Sequence, residues 1–206
     1  MIVLNIGLLQ RLVVPTVSKV FVDIGTCDFD TSIPLASAGW QGYMIEADPK
    51  YAKRMREKTS SYDVDVFNLA ISDYDGDLLF VTADPSVHDQ GYDWKHGMGH
   101  VASTHHHGNR MMEDPRNEHF IGKTIKIKCS TLDTFIQENN ISKIDLLKID
   151  VEGHEKNILQ GFTWAVKPSF IKIEHFHSDK EYIQNTLIDN GYFIFTEDYD
   201  IYGILK

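Results

Sequence analysis

Apolar and polar positions along this chain follow two alternating rhythms. Short apolar runs, too brief for helices, are separated by stretches with apolar residues every three to four positions. That succession predicts an α/β fold built on a largely parallel sheet. Lys19 to Gly25 (KVFVDIG) reads as a buried strand, Ser32 to Gly39 as a helix ending at a glycine, and Tyr43 to Glu46 (YMIE) as the next strand. Pro49 suits the first turn of a helix continued by Tyr51 to Lys58, because a first-turn amide has no intrahelical acceptor to lose. Val64 to Ile71 is expected to be one strand, and Leu78 to Thr82 another beyond the Asp75-Gly76 turn signal. Thr124 to Cys129 (TIKIKC) alternates as a half-buried strand does, and Thr131 or Asp133 can cap a helix through Asn139. Ile144 to Ile149 (IDLLKI) is apolar enough for the centre of a sheet. A helix is expected from about Gly153 to Gln160, with Gly161 at the position where glycine often follows a helix end. Phe170 to Glu174 reads as a strand, Lys180 to Asp189 as a helix, and Tyr192 to Phe195 and Tyr202 to Leu205 as two last strands.

The linker between those last strands, Thr196 to Ile201, is too short for a crossover helix. It forces an antiparallel hairpin and departs from an all-parallel dinucleotide-binding sheet. No repeat or linker divides the chain, so residues 1–206 are expected to form a single domain. Residues 1–18 are apolar but broken by Asn5, Gln10 and Arg11, without a basic start or a small-residue cleavage site. They read as a packing segment rather than a signal peptide or a membrane span. Asp84 to Phe120 is polar, weakly periodic and rich in Gly and His, a long insertion loop.

Composition narrows the function. A net charge of −10 argues against a general grip on nucleic acid. Cys27 and Cys129, the chain's two cysteines, make neither a disulfide framework nor a metal motif. A cytoplasmic location with reduced thiols is expected, with no membrane partner.

Three segments carry candidate chemistry. In VFVDIGTCDFDTS a strand ends at Asp23 and a glycine turn leads into a helix near Thr31. Such a turn lets backbone approach a ligand, and Asp23 stands where a carboxylate can receive an ammonium. A plain capped strand-to-helix turn would read the same way. Glu46 in MIEADP follows the glycine turn by about 20 residues, the spacing at which an acid accepts both ribose hydroxyls. In LLKIDVEGHE, Asp150 ends a very apolar strand, with Glu152, His154 and Glu155 on the turn after it. Ligands of open α/β sheets bind at that edge, although capping by Asp150 or Glu152 is the alternative.

Taken in order, VDIGTCDFDTS, IEADP, NLAISDYDG, STLDTF, IDLLKIDVEGHEKNILQG and IKIEHFH resemble the FkbM-type methyltransferases, over about Val20 to His177. The resemblance implies a Rossmann-like class I methyltransferase sandwich: a mostly parallel seven-stranded sheet with a C-terminal antiparallel hairpin. It also implies S-adenosyl-L-methionine (SAM) as cofactor. By position, Asp23, Gly25 and Thr26 would face the methionine part, Glu46 the ribose, and Ala47, Asp48, Ala70 and Ile71 the adenine. Asp150 would lie near the reacting methyl. One stretch departs from the family: Cys27 stands at its usual Asn and Phe29 at its second glycine, and Asp28 is offered as a substitute cofactor contact.

The implied reaction is O-methylation of a hydroxyl on a sugar, glycan or small polar metabolite. Asp150, His154 and His175 are the candidate catalytic bases. Trp94, His105 and His177 are candidate substrate contacts. The His-rich stretch around His105 to His107 reads as a substrate lid, an inert insertion or a metal site, but shows no spaced ligand set, so no metal is assigned. A non-catalytic SAM-binding domain and an NAD-type oxidoreductase remain alternatives, and a homodimer stays open.

Overall fold

In the computed structural model, which describes residues 19–83, 97–103 and 121–206, the run Val20–Ile24 forms β1 and is buried along its whole length. There follow α1 (Ile33–Ser37), β2 (Gln41–Glu46), α2 (Pro49–Thr59), β3 (Val64–Asn68), β4 (Ala70–Ser72), β5 (Gly76–Ala83), β6 (His100–Val101) and β7 (Ile121–Thr131). The second half comprises α3 (Leu132–Glu138), β8 (Leu146–Ile149), α4 (Glu155–Gln160), β9 (Phe170–Glu174), α5 (Lys180–Asp189), β10 (Tyr192–Glu197) and β11 (Asp200–Leu205).

A seven-stranded sheet runs in the order β10-β11-β9-β8-β1-β2-β3. β3, β2, β1, β8 and β9 are parallel, while β11 lies antiparallel between β9 and β10. This is the expected methyltransferase sandwich with its terminal hairpin, and it excludes an all-parallel sheet. The chain leaves β1 towards β2 on one side and returns to β8 on the other. The switch point, where such sheets bind ligands, therefore lies between the ends of β1 and β8.

Alternate residues of the central strands feed two cores. Val20, Val22, Ile24, Leu147 and Ile149 pack on one face, and Phe21, Met44 and Leu146 on the other. Burying each such side chain stabilises the fold by about 1.5–3 kcal/mol. Strands buried on both faces lose their polar alternation, which is why VFVDI and LLKI read as continuous apolar runs. Asp48, with Pro49 after it, caps α2 by accepting from the Lys50 amide, and Thr131 rather than Asp133 caps α3. Asp133 instead accepts from the Thr163 amide.

Several expectations are corrected. Val64 to Ile71 is two strands, not one: the chain breaks at Leu69, β3 stays in the main sheet and β4 joins a second one. That four-stranded sheet, β4-β7-β5-β6, has a long antiparallel β5–β7 ladder. It takes His100–Val101 from within the expected loop, pairing Phe80 with Val101 and Val81 with His100. A two-residue strand has too little pattern to be read without its partner. Helix α4 begins at Glu155, not Gly153, because Glu152 (φ 54°) and Gly153 (φ 102°) are left-handed. Gly161 has φ −85°, so no left-handed helix end requires it. A Cβ there would fall 2.6 Å from Asp73 Cα and 2.7 Å from the Ser72 carbonyl oxygen. This glycine lets α4 dock on β4. Among the described residues no helix is long and apolar enough to cross a membrane.

Candidate functional site

The turns after β1 and β8 press against each other. Gly25 has φ 77°, and a Cβ on it would fall 1.7 Å from the Asp150 carbonyl oxygen, so no other residue fits there. The Asp150 amide donates to the Ile24 carbonyl at 3.0 Å, and the Gly25 amide to the Ile45 carbonyl at 2.9 Å. Three strand ends are thereby tied together. Cys27 follows in a left-handed conformation, φ 50°, which Asn adopts more readily than most residues. Its amide donates to Glu46 Oε2 at 2.6 Å, and the Asp48 amide donates to Glu46 Oε1 at 2.7 Å. Glu46 is only 6% exposed. Burial lifts its pKa to about 7 against the pull of those two amides. A carboxylate offers about four acceptor sites, so each oxygen can still accept another donor.

Around this carboxylate opens a mostly apolar cleft, continuous with solvent. Gly25 and Cys27 form one lip, and Glu46, Ala47, Asp48 and Tyr51 a second. Ala70 and Ile71 bring in the start of the second sheet, with Phe80, Gly97, Gly99 and Val101 above them. Asp150, Val151, Glu152 and His154 close the remaining side. The structure thus brings together the expected cofactor residues Gly25, Glu46, Ala47, Asp48, Ala70, Ile71 and Asp150.

Asp23, Thr26 and Asp28 do not line the cleft. Asp23, 1% exposed, accepts from Ser32 Oγ at 2.6 Å and from Lys148 Nζ at 3.1 Å. Its carboxylate, expected to receive a ligand ammonium, here faces a buried lysine. Thr26 is buried. Asp28 turns outward to Arg54, 2.9 Å away, so the acidic loop is partly neutralised by α2. Lys58 adds a contact to the Asp28 carbonyl and a bridge of 2.8 Å to Asp30. Phe29, at the family's second glycine, packs near Gly97, where a Cβ would approach its ring to 3.0 Å.

Of the candidate bases, Asp150 and His154 line the cleft and His175 does not. Lys148 Nζ lies 3.4 Å from Asp150 Oδ2. His154 Nε2 is 3.0 Å from Ser72 Oγ, and burial lowers its pKa to about 4, so the imidazole is neutral at pH 7. His175 is half-buried, its amide donating to the Tyr199 carbonyl at 2.8 Å. His177 is buried with Nε2 3.4 Å from Glu152 Oε2, and burial lowers its pKa. Trp94 and His105 lie outside the described residues.

A model of the FkbM methyltransferase domain matches residues 23–199, from Asp23 in the β1 turn to the hairpin. The chain belongs to the FkbM methyltransferase family. Among solved structures, this FkbM chain is similar to magnesium protoporphyrin IX methyltransferase from Synechocystis PCC 6803 with bound S-adenosylhomocysteine (SAH). That similarity has 11% identity over 97% of this chain and 78% of the other, with a TM-score of 0.47. No curated protein matches it.

Sequence reasoning missed Tyr51, Phe80, Gly97, Gly99 and Val101 as cleft residues. The GMG at 97–99 was the available signal. A Cβ on Gly99 would lie 2.6 Å from Phe80 Cζ, and closely spaced glycines often mark such approaches of backbone.

Proposed function

We propose that this FkbM-family chain is a SAM-dependent O-methyltransferase acting on a hydroxyl of a sugar, glycan or small polar metabolite. The observation that carries the reading is Glu46. It stands at the end of β2 on the cleft floor, one backbone N–H already on each carboxylate oxygen, with acceptor capacity left for the two hydroxyls of a ribose. The residues present fit SAM in two further ways. Gly25 lines the cleft as bare backbone, suited to the close approach of a methionine chain. Ala47, Ala70 and Ile71 offer an apolar slot, bordered by Asp48, suited to adenine.

When bound, SAM would supply a methyl on a sulfonium for in-line transfer to an acceptor oxygen, the C–O bond forming as the C–S bond breaks and SAH leaves with its electron pair. The protein's share is alignment and exclusion of water. Phe80 and Val101 bring apolar surface of the second sheet to the cleft wall. Asp150, held by Lys148 at the cleft's edge, is the group assigned to take the acceptor's proton. His154, neutral and tied to Ser72, orients the polar wall beside it. His175 lies off the cleft and has no part in this reading.

Calorimetry with SAM and with NAD tests the cofactor. Saturable SAM binding that vanishes in Glu46→Ala is expected. NAD binding without a SAM response would replace the assignment. Release of SAH over a panel of hydroxylated acceptors tests the reaction, and turnover unchanged in Asp150→Ala would remove Asp150 from the proton path.

A further inference from the structure

The carboxyl ends of β8 and β9 meet beside the cleft. These strands are parallel, with Lys148 opposite Lys172 and Ile149 opposite Ile173. The next pair in register is therefore Asp150 and Glu174. The left-handed turn at Glu152 brings a third carboxylate back to the same place. One oxygen from each of Asp150, Glu152 and Glu174 lies within 4.8 Å of the others. Oxygens bound at about 2.0–2.6 Å to one divalent cation stand at most roughly 4–5 Å apart, so the three carboxylates have the spacing of a ligand set.

A second observation comes from behind the turn. Glu155 is 1% exposed. Its Oε1 accepts from the Val151 amide at 3.0 Å and the Gly153 amide at 3.2 Å. Its Oε2 is buried and has no donor among the described residues. The Glu155 carboxylate thus sits inside the turn that carries Glu152 and follows Asp150 directly. A buried carboxylate oxygen without a donor beside three more carboxylates calls for a positive charge. The nearby lysines are already shared. Lys148 also bridges Asp23 at 3.1 Å, and Lys172 bridges Asp200 at 2.7 Å. His177 Nε2, 3.4 Å from Glu152 Oε2, stands where a histidine steadies a ligating carboxylate.

We propose that Asp150, Glu152 and Glu174 bind a hard divalent cation, Mg²⁺ or Mn²⁺, at the acceptor end of the cleft. All-oxygen ligands select that class over softer metals. The inference rests on the methyl-transfer reading for its role: a cation beside Asp150 would orient an acceptor hydroxyl and make its proton easier to lose.

The test is Mn²⁺ binding followed by electron paramagnetic resonance on the full chain, with and without saturating SAH. One Mn²⁺ per chain is expected, bound at least about tenfold more weakly in Glu174→Gln and in Asp150→Asn, and retained when SAH is added. Glu174→Gln keeps the shape of the side chain and reads the site should Asp150→Asn fail to fold. Three outcomes overturn the proposal: no saturable Mn²⁺ binding by a chain that binds SAH, equal affinity in Glu174→Gln and wild type, or displacement of Mn²⁺ by SAH. The last would assign the carboxylates to the ligand's ammonium. Mn²⁺ binding as expected in a chain that binds neither SAM nor SAH would leave the metal site standing and remove the methyltransferase reading.

Discussion

Lys148 and Asp23 form a buried ion pair, 3.1 Å long with side chains 5% and 1% exposed, directly beneath the glycine turn. The same ammonium donates to the Gly25 carbonyl at 3.1 Å and reaches Asp150 on the other strand end. Burial works against its charge, but Asp23 and Asp150 outweigh burial and raise its pKa above the ordinary lysine value. Lys148 thus fastens both cleft-forming turns. Removing it would leave Asp23 buried with Ser32 as its one side-chain partner among the described residues. Lys148→Met is expected to destabilise the chain by roughly 3–5 kcal/mol, measured by urea denaturation. Asp23→Asn should relieve part of that loss in the double variant. Strict additivity would show that the pair is not coupled.

Glu46 gives the protein a pH dependence whose sign is fixed. Its pKa rises from 4.5 to about 7 on folding, chiefly by burial. The folded state therefore holds this proton more tightly than the unfolded one. Its contribution is fully present below pH 4.5 and is lost as pH rises through about 7, on the order of 3 kcal/mol in all. Glu46→Gln should flatten the slope of stability between those values. Ligand binding should run the other way. A carboxylate accepts ribose hydroxyls better than its acid, so SAH affinity should rise between pH 6 and 8 in the wild type and stay flat in Glu46→Gln. A parallel slope in both proteins would show that another group controls it.

Much of this was legible because the central strands are buried on both faces. VFVDI, YMIE and LLKI announce themselves through composition alone, and the spacing from Gly25 to Glu46 follows from one strand–helix–strand unit. The second sheet was not legible. β4 pairs with β7 far along the chain, Ala70 against Cys129, and no local pattern records such a partner. The pairing of Asp23 was hidden for the same reason. Its partner Lys148 is 125 residues away, and in the sequence a turn aspartate that feeds a lysine looks identical to one that faces a ligand.

Gly25 and Gly39 separate crowding from backbone strain. Both are left-handed, φ 77° and 83°, but a Cβ on Gly39 meets nothing within 4 Å. Gly39→Ala should therefore cost about 1 kcal/mol, the strain of that conformation alone, and leave SAH binding unchanged. Gly25→Ala forces the two cleft-forming turns apart. It should lose several times as much stability in thermal denaturation, and SAH binding with it. Equal losses from the two substitutions would contradict the packing of the β1 and β8 turns against each other.

Gly161 allows a test in which two explanations differ in sign. Were it only the glycine that ends α4, its φ of −85° would suit alanine equally well. Gly161→Ala would then stabilise the chain by about 0.4–1 kcal/mol through the unfolded state. The structure places β4 where the new methyl would go, 2.6 Å from Asp73 Cα and 2.7 Å from the Ser72 oxygen. Both are backbone atoms, one in β4 and one directly after it, and β4 is paired to β7 through Ser72, so they cannot yield as a side-chain tip would. A loss of about 1–3 kcal/mol is expected instead. Ser72 also sits 3.0 Å from His154, and Ala70 and Ile71 of the same strand line the cleft, so any displacement of β4 reaches the cleft wall. SAH affinity should fall together with stability. Loss of stability with affinity unchanged would mean that β4 moves without carrying the cleft wall, and a gain in stability would mean that α4 does not rest on β4 at all.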